Sequence, residues 1–455
     1  MTSTFSPAGT LRQHRPLLLA MEAIGWFHMA GKARVEFLRS HGGDNNGYNE
    51  RQWHQQEIPP FPWDQLLDWV KQSYSVGNLA NAWPSTFAAF TEKHADRDPG
   101  LLGLLQAGHG IVSGVEKNLP GSTSGYLRQT IPHMWLSSPW GHFKRNLLAD
   151  PPEILSPQGW KQLVSEIHRV LEELQKLGRQ NAQDVAFWQR WREDAIGEGS
   201  FIRRAFLSTL AETRLPNNDV TLWDQSYVAA ALFKSAVAGV LLNRSPMLMA
   251  RDIENHLTTQ VANWNNLTKN QRQQMVESYV KNNTRWRLLT VALGTEHYEA
   301  RAVKIGDWTG AKGAIEEFFH RVATLVEVDL AVGSLLYRDG SVAVFSFPGE
   351  RFDEEEQERQ NRNDPNFKYN EREFAPWLQD WSAWLQEQVE SIAHDLDLET
   401  PPHVRLSGPT RSLVPMVREW REAKRTVGVP VHRRWSITGH NAKSGPRLSR
   451  LRGAA

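Results

Sequence analysis

Apolar residues recur at three- and four-residue intervals along most of this chain, the spacing of helices with one buried face. Leu17–Leu38 (LLLAMEAIGWFHMAGKARVEFL) predicts a helix broken at Gly31, and Leu101–Lys117 a second one. In Trp160–Leu177 the residues Leu163, Ile167, Val170, Leu171, Leu174 and Leu177 line one face. Val185–Ile196, Phe201–Leu210 and the alanine-rich Trp223–Leu242 continue in the same way, with Asn218 or Asp219 suited to cap the last. Trp63–Lys71 and Leu79–Phe90 predict shorter helices.

The pattern changes between Arg285 and Pro348. Trp286–Leu293 predicts a strand, and Ala314–Val326 predicts a helix with Ile315, Phe318, Phe319, Val322 and Leu325 on one face. Two apolar runs then meet at Arg338-Asp339-Gly340-Ser341, and Asp-Gly between such runs predicts a hairpin through the positive φ that glycine accepts. Strand, helix and hairpin make the first half of a ferredoxin-like palm. Glu350–Asn370 is highly charged and predicts an exposed linker, and Glu371–Leu396 returns to helical spacing. From His403 to Ala455 there are twelve Lys/Arg against two acids, a segment suited to phosphate backbones.

Composition changes this picture little. A chain of 455 residues is long enough for several domains, and its net charge of +1 hides the basic end. With no cysteine, disulfides, thiolate zinc sites and a thiol nucleophile are excluded; a cytoplasmic location is expected, without a membrane-spanning run. The 19 tryptophans lie in helical segments and are expected in cores and interfaces.

Candidate chemistry is confined to a few positions. His28-Met29-Ala30-Gly31-Lys32 stands where an HD-type phosphohydrolase carries His-Asp-x-Gly-Lys, whose imidazole and carboxylate hold a divalent metal that activates water. Met29 takes the place of the acid, and a thioether is a poor ligand for a hard metal. His28, His41 and His109 are the candidate metal ligands; each imidazole also reads as a structural helix histidine. In palm enzymes, carboxylates on the first strand and the hairpin tip hold two metal ions. Here only Asp339 stands at the tip, beside Arg338, with Asp329 and Glu327 as the nearest further acids. Arg418, Arg421 and Arg425 share a helix face, and Arg447, Arg450 and Arg452 follow in the tail, as candidate nucleic-acid contacts.

The order of these pieces resembles the large subunit of type III CRISPR effector complexes, the Cas-ten family, and within it the Csx-eleven branch. Thr213-Arg214-Leu215-Pro216-Asn217 leading to Trp223-Asp224 is similar to the family's D-T-R-x-P-N…W-D-H entry to the first palm, with Gln225 in the His position. Leu104–Lys117 is similar to A-D-x-x-S-G-x-E-R with His109 in the Asp position, and Ser407–Pro415 resembles a segment after the first palm. The resemblance covers about Leu17 to Arg425. It implies an HD nuclease domain, a palm with a Gly-Gly-Asp-Asp tip that makes cyclic oligoadenylate, a zinc insertion, a second palm and a helical C-terminal domain.

The departures from that pattern give the expectation for this chain. It is α+β and mostly helical: a degenerate HD-like helical domain (1–150), connecting helices (151–210) and a palm-like, ferredoxin-like half-domain (211–349). A charged linker with an amphipathic helix (350–400) and a basic C-terminal segment (401–455) follow. The expected function is that of a catalytically degenerate scaffold contacting CRISPR effector subunits, crRNA and target RNA, with a separately encoded C-terminal half as a further partner. The alternative is an active HD phosphohydrolase or a palm cyclase, which alone would require a divalent metal and ATP.

Overall fold

The computed structural model describes residues 6–44, 46–117, 133–137, 144–211, 213, 217–218, 220–242, 248–349 and 376–427. The chain is mostly helical with small, largely antiparallel sheets, an α+β protein as expected. It divides into two compact units, Arg12–Thr284 and Met1–Leu11 with Arg285–Ala455. The expected boundary at 211 is therefore displaced to 284.

The first unit is built from ten helices of seven residues or more among the described residues: α1 (Arg15–Phe27), α2 (Val35–His41), α3 (Trp63–Tyr74), α4 (Gly100–Lys117), α5 (Pro157–Glu173), α6 (Val185–Ile196), α7 (Phe201–Leu207), α8 (Leu222–Leu242), α9 (Ala250–Gln260) and α10 (Lys269–Asn283). Its organising element is α8, packed against both α1 and α4. By length and composition α8 is apolar enough to cross a membrane, but most of it is buried among these helices, and its alanines explain how. A Cβ on Gly25 of α1 would lie 2.5 Å from Ala230 Cα, so the two backbones meet where neither carries a bulky side chain. That contact explains why 211–284 belongs with the helices rather than with the sheet that follows.

Within this core Glu22 of α1 is fully buried between Lys234 Nζ of α8, 2.9 Å away, and Arg192 Nη2 of α6, 3.1 Å away. Two cations offset the cost of removing one carboxylate from water. Tryptophans fill the rest: Trp26, Trp53 and Trp188 are among the largest fully buried side chains. Strands β1 (Trp135–Ser137), β2 (Lys144–Asn146) and β3 (Asn217–Asn218) form a small sheet in the order β2-β1-β3, with β3 parallel to β1. Leu79–Phe90, expected as a helix, is mostly turns, with a single helical turn at Ala89–Glu92.

The second unit is organised on a four-stranded antiparallel sheet. Its elements run β4 (Trp286–Ala292), α11 (Glu296–Arg301), α12 (Ile305–Thr324), β5 (Leu335–Arg338), β6 (Val342–Pro348), α13 (Pro376–Asp395), β7 (His403–Leu406) and α14 (Pro415–Val427). The strand order is β5-β6-β4-β7, a β-α-β-β-α-β arrangement with both central strands buried along their length. The expectation of a half-unit is corrected here. The helix after the charged stretch and the strand His403–Leu406, assigned from sequence to a linker and a basic tail, complete the sheet, because β7 pairs with β4 from Ala292↔His403 to Leu289↔Leu406. Helix α14 then packs Ala423, Trp420, Met416 and Val427 on Leu288, Ala292, Val342 and Val344.

The hairpin forms where Asp-Gly predicted it, but for another reason. Gly340 is not among the glycines with positive φ. The Asp339 side chain shapes the turn, accepting from the amides of Ser341 and Val342 at 2.8 Å each.

Candidate functional site

The chemistry-bearing residues of the first unit meet at the end of α1. His28 follows the last turn of α1, and its Nδ1 lies 2.6 Å from Gly25 O, to which only an N–H can bond. Its Nε2 lone pair therefore faces His109 Nδ1 of α4 at 3.2 Å and accepts a hydrogen bond from that N–H. A third imidazole joins them: the His94 ring lies 5.2 Å from His28 and 4.7 Å from His109, and its Nδ1 donates to Thr91 O over 2.6 Å. All three are buried. Burial pulls His28 down to about 4, against the raising effect of the Gly25 carbonyl and with a further lowering by Lys32. His94 falls well below the usual histidine range, first through burial and then through His28. His28 and His94 are thus held neutral at physiological pH, and His28 is hydrogen-bonded to His109.

Two of the expected ligands, His28 and His109, are thus brought together, and His41 is not. His41 ends α2 exposed, its Nδ1 bonded to Phe37 O at 3.0 Å and its ring against Phe37. Sequence reasoning missed His94, which carries no motif; the only local signal is the Thr91-x-x-His94 spacing that lets the ring reach back to the Thr91 carbonyl.

The set does not fit the mixed imidazole–carboxylate site of the His-Asp pattern. Met29, in the acid's place, is a buried thioether. Among the described residues no group of three or more His, Asp or Glu side chains is placed to hold a metal ion.

The neighbouring Lys32 ties this locus to the second motif. Its Nζ donates to Ala211 O at 2.7 Å and Gln225 Oε1 at 3.3 Å. Gly31 is required beside it, since a Cβ there would fall 2.2 Å from Glu50 O. Between Ala211 and Gln225 the chain makes a loop closed at its base, with Leu210 bridged to Thr221 and Leu222 N donating to Thr209 O. Thr213 is buried. Arg214 and Pro216 lie outside the described residues, and Asn217 is in β3.

Trp223 stacks near Tyr227 and under the Arg203 guanidinium, 5.0 Å from its ring. Asp224 Oδ2 accepts from Thr221 N at 2.9 Å and Thr221 Oγ1 at 2.7 Å. Thr221 also accepts from the Asp224 amide, so the cap of α8 is Thr221 with Asp224 rather than Asn218 or Asp219.

In the second unit Asp339 is saturated. Beyond the two turn amides, its Oδ2 accepts from Trp420 Nε1 at 2.8 Å and lies 3.4 Å from Lys424 Nζ. Burial alone would push its pKa up, but the Ser341 amide, the Trp420 indole, the Val342 amide and Lys424 hold it below the ordinary aspartate value. A carboxylate engaged on both oxygens by protein donors has little left for a metal ion. Glu327 is likewise engaged, accepting from Leu335 N at 2.8 Å. Arg338 pairs with Glu316 at 2.6 Å and covers the Phe319 ring. Asp329 ends the π-helical turn Leu325–Asp329, well before the hairpin tip in sequence.

Arg418, Arg421 and Arg425 are exposed along one face of α14. Arg418 Nη2 binds Glu419 at 2.8 Å and Arg425 Nη1 binds Glu422 at 2.8 Å, whereas Arg421 has no acidic partner among the described residues. Arg447, Arg450 and Arg452 lie outside the described residues.

No family model matches this chain, and neither a curated protein nor a solved structure matches it.

Proposed function

We propose that the chain is a catalytically degenerate scaffold subunit of a type III CRISPR RNA-guided complex, one that holds partner subunits and contacts crRNA or target RNA. The observation that carries this reading is convergence. His28–Lys32, His109 and the stretch ending in Gln225 were singled out by likeness to separate family motifs, and they meet through the His28–His109 and Lys32–Gln225 hydrogen bonds. The β-α-β-β-α-β order of the second unit also suits a ferredoxin-like palm. Degeneracy is supported by the chemistry of the residues: three buried imidazoles with a thioether in the acid's place at one locus, and a turn-bound aspartate at the other.

The test is direct. The purified chain with manganese or nickel should leave labelled single-stranded DNA intact, and with ATP and magnesium should yield no ligated product. Co-expressed with the subunits encoded beside it, it should purify in a complex containing crRNA. DNA cleavage abolished by His28→Ala, ATP ligation abolished by Asp339→Ala, or failure to enter any RNA-bearing complex would each overturn the reading.

A further inference from the structure

Helix α14 has two faces of different chemistry. Its inner face carries Glu419 and Ala423, both fully buried, together with Met416, Trp420 and Val427. Its outer face carries Arg418, Arg421 and Arg425, and just before and within its first turn stand Val414, 79% exposed, and Val417, 52% exposed. At 100° per residue, Val417, Arg421 and Arg425 fall within one quarter of the helix surface. Aliphatic side chains left in water between arginines are out of place on a plain solvated face, where charged residues dominate.

We propose that the outer face of α14 docks an acidic protein segment that also carries apolar side chains. Charge complementarity selects an acidic occupant. Arg421 has no acidic partner among the described residues, and Arg418 and Arg425 already hold carboxylates in the geometry a partner's Asp or Glu would use. The valines then choose between a protein and a nucleic acid. Single-stranded nucleic acid is gripped by aromatic platforms under its bases. The aromatic residue of this helix, Trp420, is instead turned inward with its indole on Asp339. Val414 and Val417 offer nothing to a phosphate and gain only when covered by an apolar side chain. The inference names the partner's chemistry and does not depend on the CRISPR reading.

The experiment uses the full chain and three fluorescent probes: a peptide of alternating Glu and Leu, a Glu-only peptide of equal charge, and a twenty-nucleotide oligouridine. The variants are Arg421→Glu and the double change Val414→Ser with Val417→Ser, all at exposed positions, with circular dichroism to verify folding. The Glu-Leu peptide should bind more tightly than the Glu-only one. Arg421→Glu should weaken it by more than tenfold, and the valine pair by roughly tenfold. Oligouridine binding should not change in the valine variant. Equal affinity of the two peptides, an unchanged Kd in both variants, or oligouridine as the only probe lost in Arg421→Glu would overturn the proposal. The last result would return the face to nucleic acid.

Discussion

The two units bury carboxylates alike but supply the partner cations in different ways. In the helical unit, Glu22 and Lys234 are fully buried and three imidazoles are packed ring against ring. In the sheet unit, the Glu419 carboxylate is fully buried and that of Asp339 partly so, but the cations that meet them, Lys424, Arg405 and Arg418, reach in from solvent. The first arrangement is committed to one geometry, because burial keeps solvent from taking the place of a lost partner. In the second, an arginine that loses its carboxylate simply turns outward. The partner cation Lys234 is a core component in one unit, whereas the partner cations reach in from the surface in the other.

Four measurements sharpen that contrast, the largest effect first. Lys234→Met should leave Glu22 with Arg192 alone and cost about 3–5 kcal/mol in the urea transition of the helical unit. Acidification comes next. The unfolded chain protonates His28 below its ordinary value of 6.5, whereas the folded chain resists until about 4. Stability should therefore be complete above that window and fall through it as pH drops, by roughly 3 kcal/mol for His28 alone. Replacing His94 by Gln should flatten this fall, which unfolding series at several pH values would reveal. If the loss is unchanged in that variant, the trio is not its source.

The sheet unit should respond less. Glu419→Gln keeps a hydrogen-bond acceptor under Arg405 and should cost about 1–2 kcal/mol in that unit's transition. Smallest is Asp339→Asn, which keeps Oδ1 for the turn amides but puts an NH2 where Oδ2 accepts from Trp420 and meets Lys424, at a cost of about 1 kcal/mol. Its folded pKa is depressed, so the Asp339 contribution is present above the ordinary aspartate range and fades as pH falls through it. A larger cost for Asp339→Asn than for Lys234→Met would erase the distinction between the units.

What could be read from sequence follows the same division. Long helices were legible because ten or more residues repeat a period: α5, α6 and α8 lie close to where the spacing puts them, while α12 begins at Ile305, well before the expected Ala314. The closing strand was not legible: β7 has four residues, one of them arginine, between a Pro-Pro pair and Ser-Gly. Nothing in so short a run competes with the basic composition around it. The Thr221-x-x-Asp224 box is readable in the sequence and lies closer to α8 than Asn218 or Asp219. Of the imidazole cluster, His28 and His109 could be named, but their meeting depends on α1 and α4 both packing against α8, a tertiary fact. The role of Asp339 was hidden for a related reason, since Trp420 and Lys424 lie some eighty residues further on.

The position of β4 between β6 and β7 also limits how the gene can be cut. An expression boundary placed in the charged stretch after Gly349 looks attractive, because it follows a finished hairpin. It would strip β7 from β4 and leave the amides and carbonyls of Leu289–Ala292 as an open hydrophobic border. Such a border invites strand addition from another molecule, so fragments ending there should precipitate or form ladders on cross-linking. A fragment running through Val427 restores the missing neighbour and the helix that covers it.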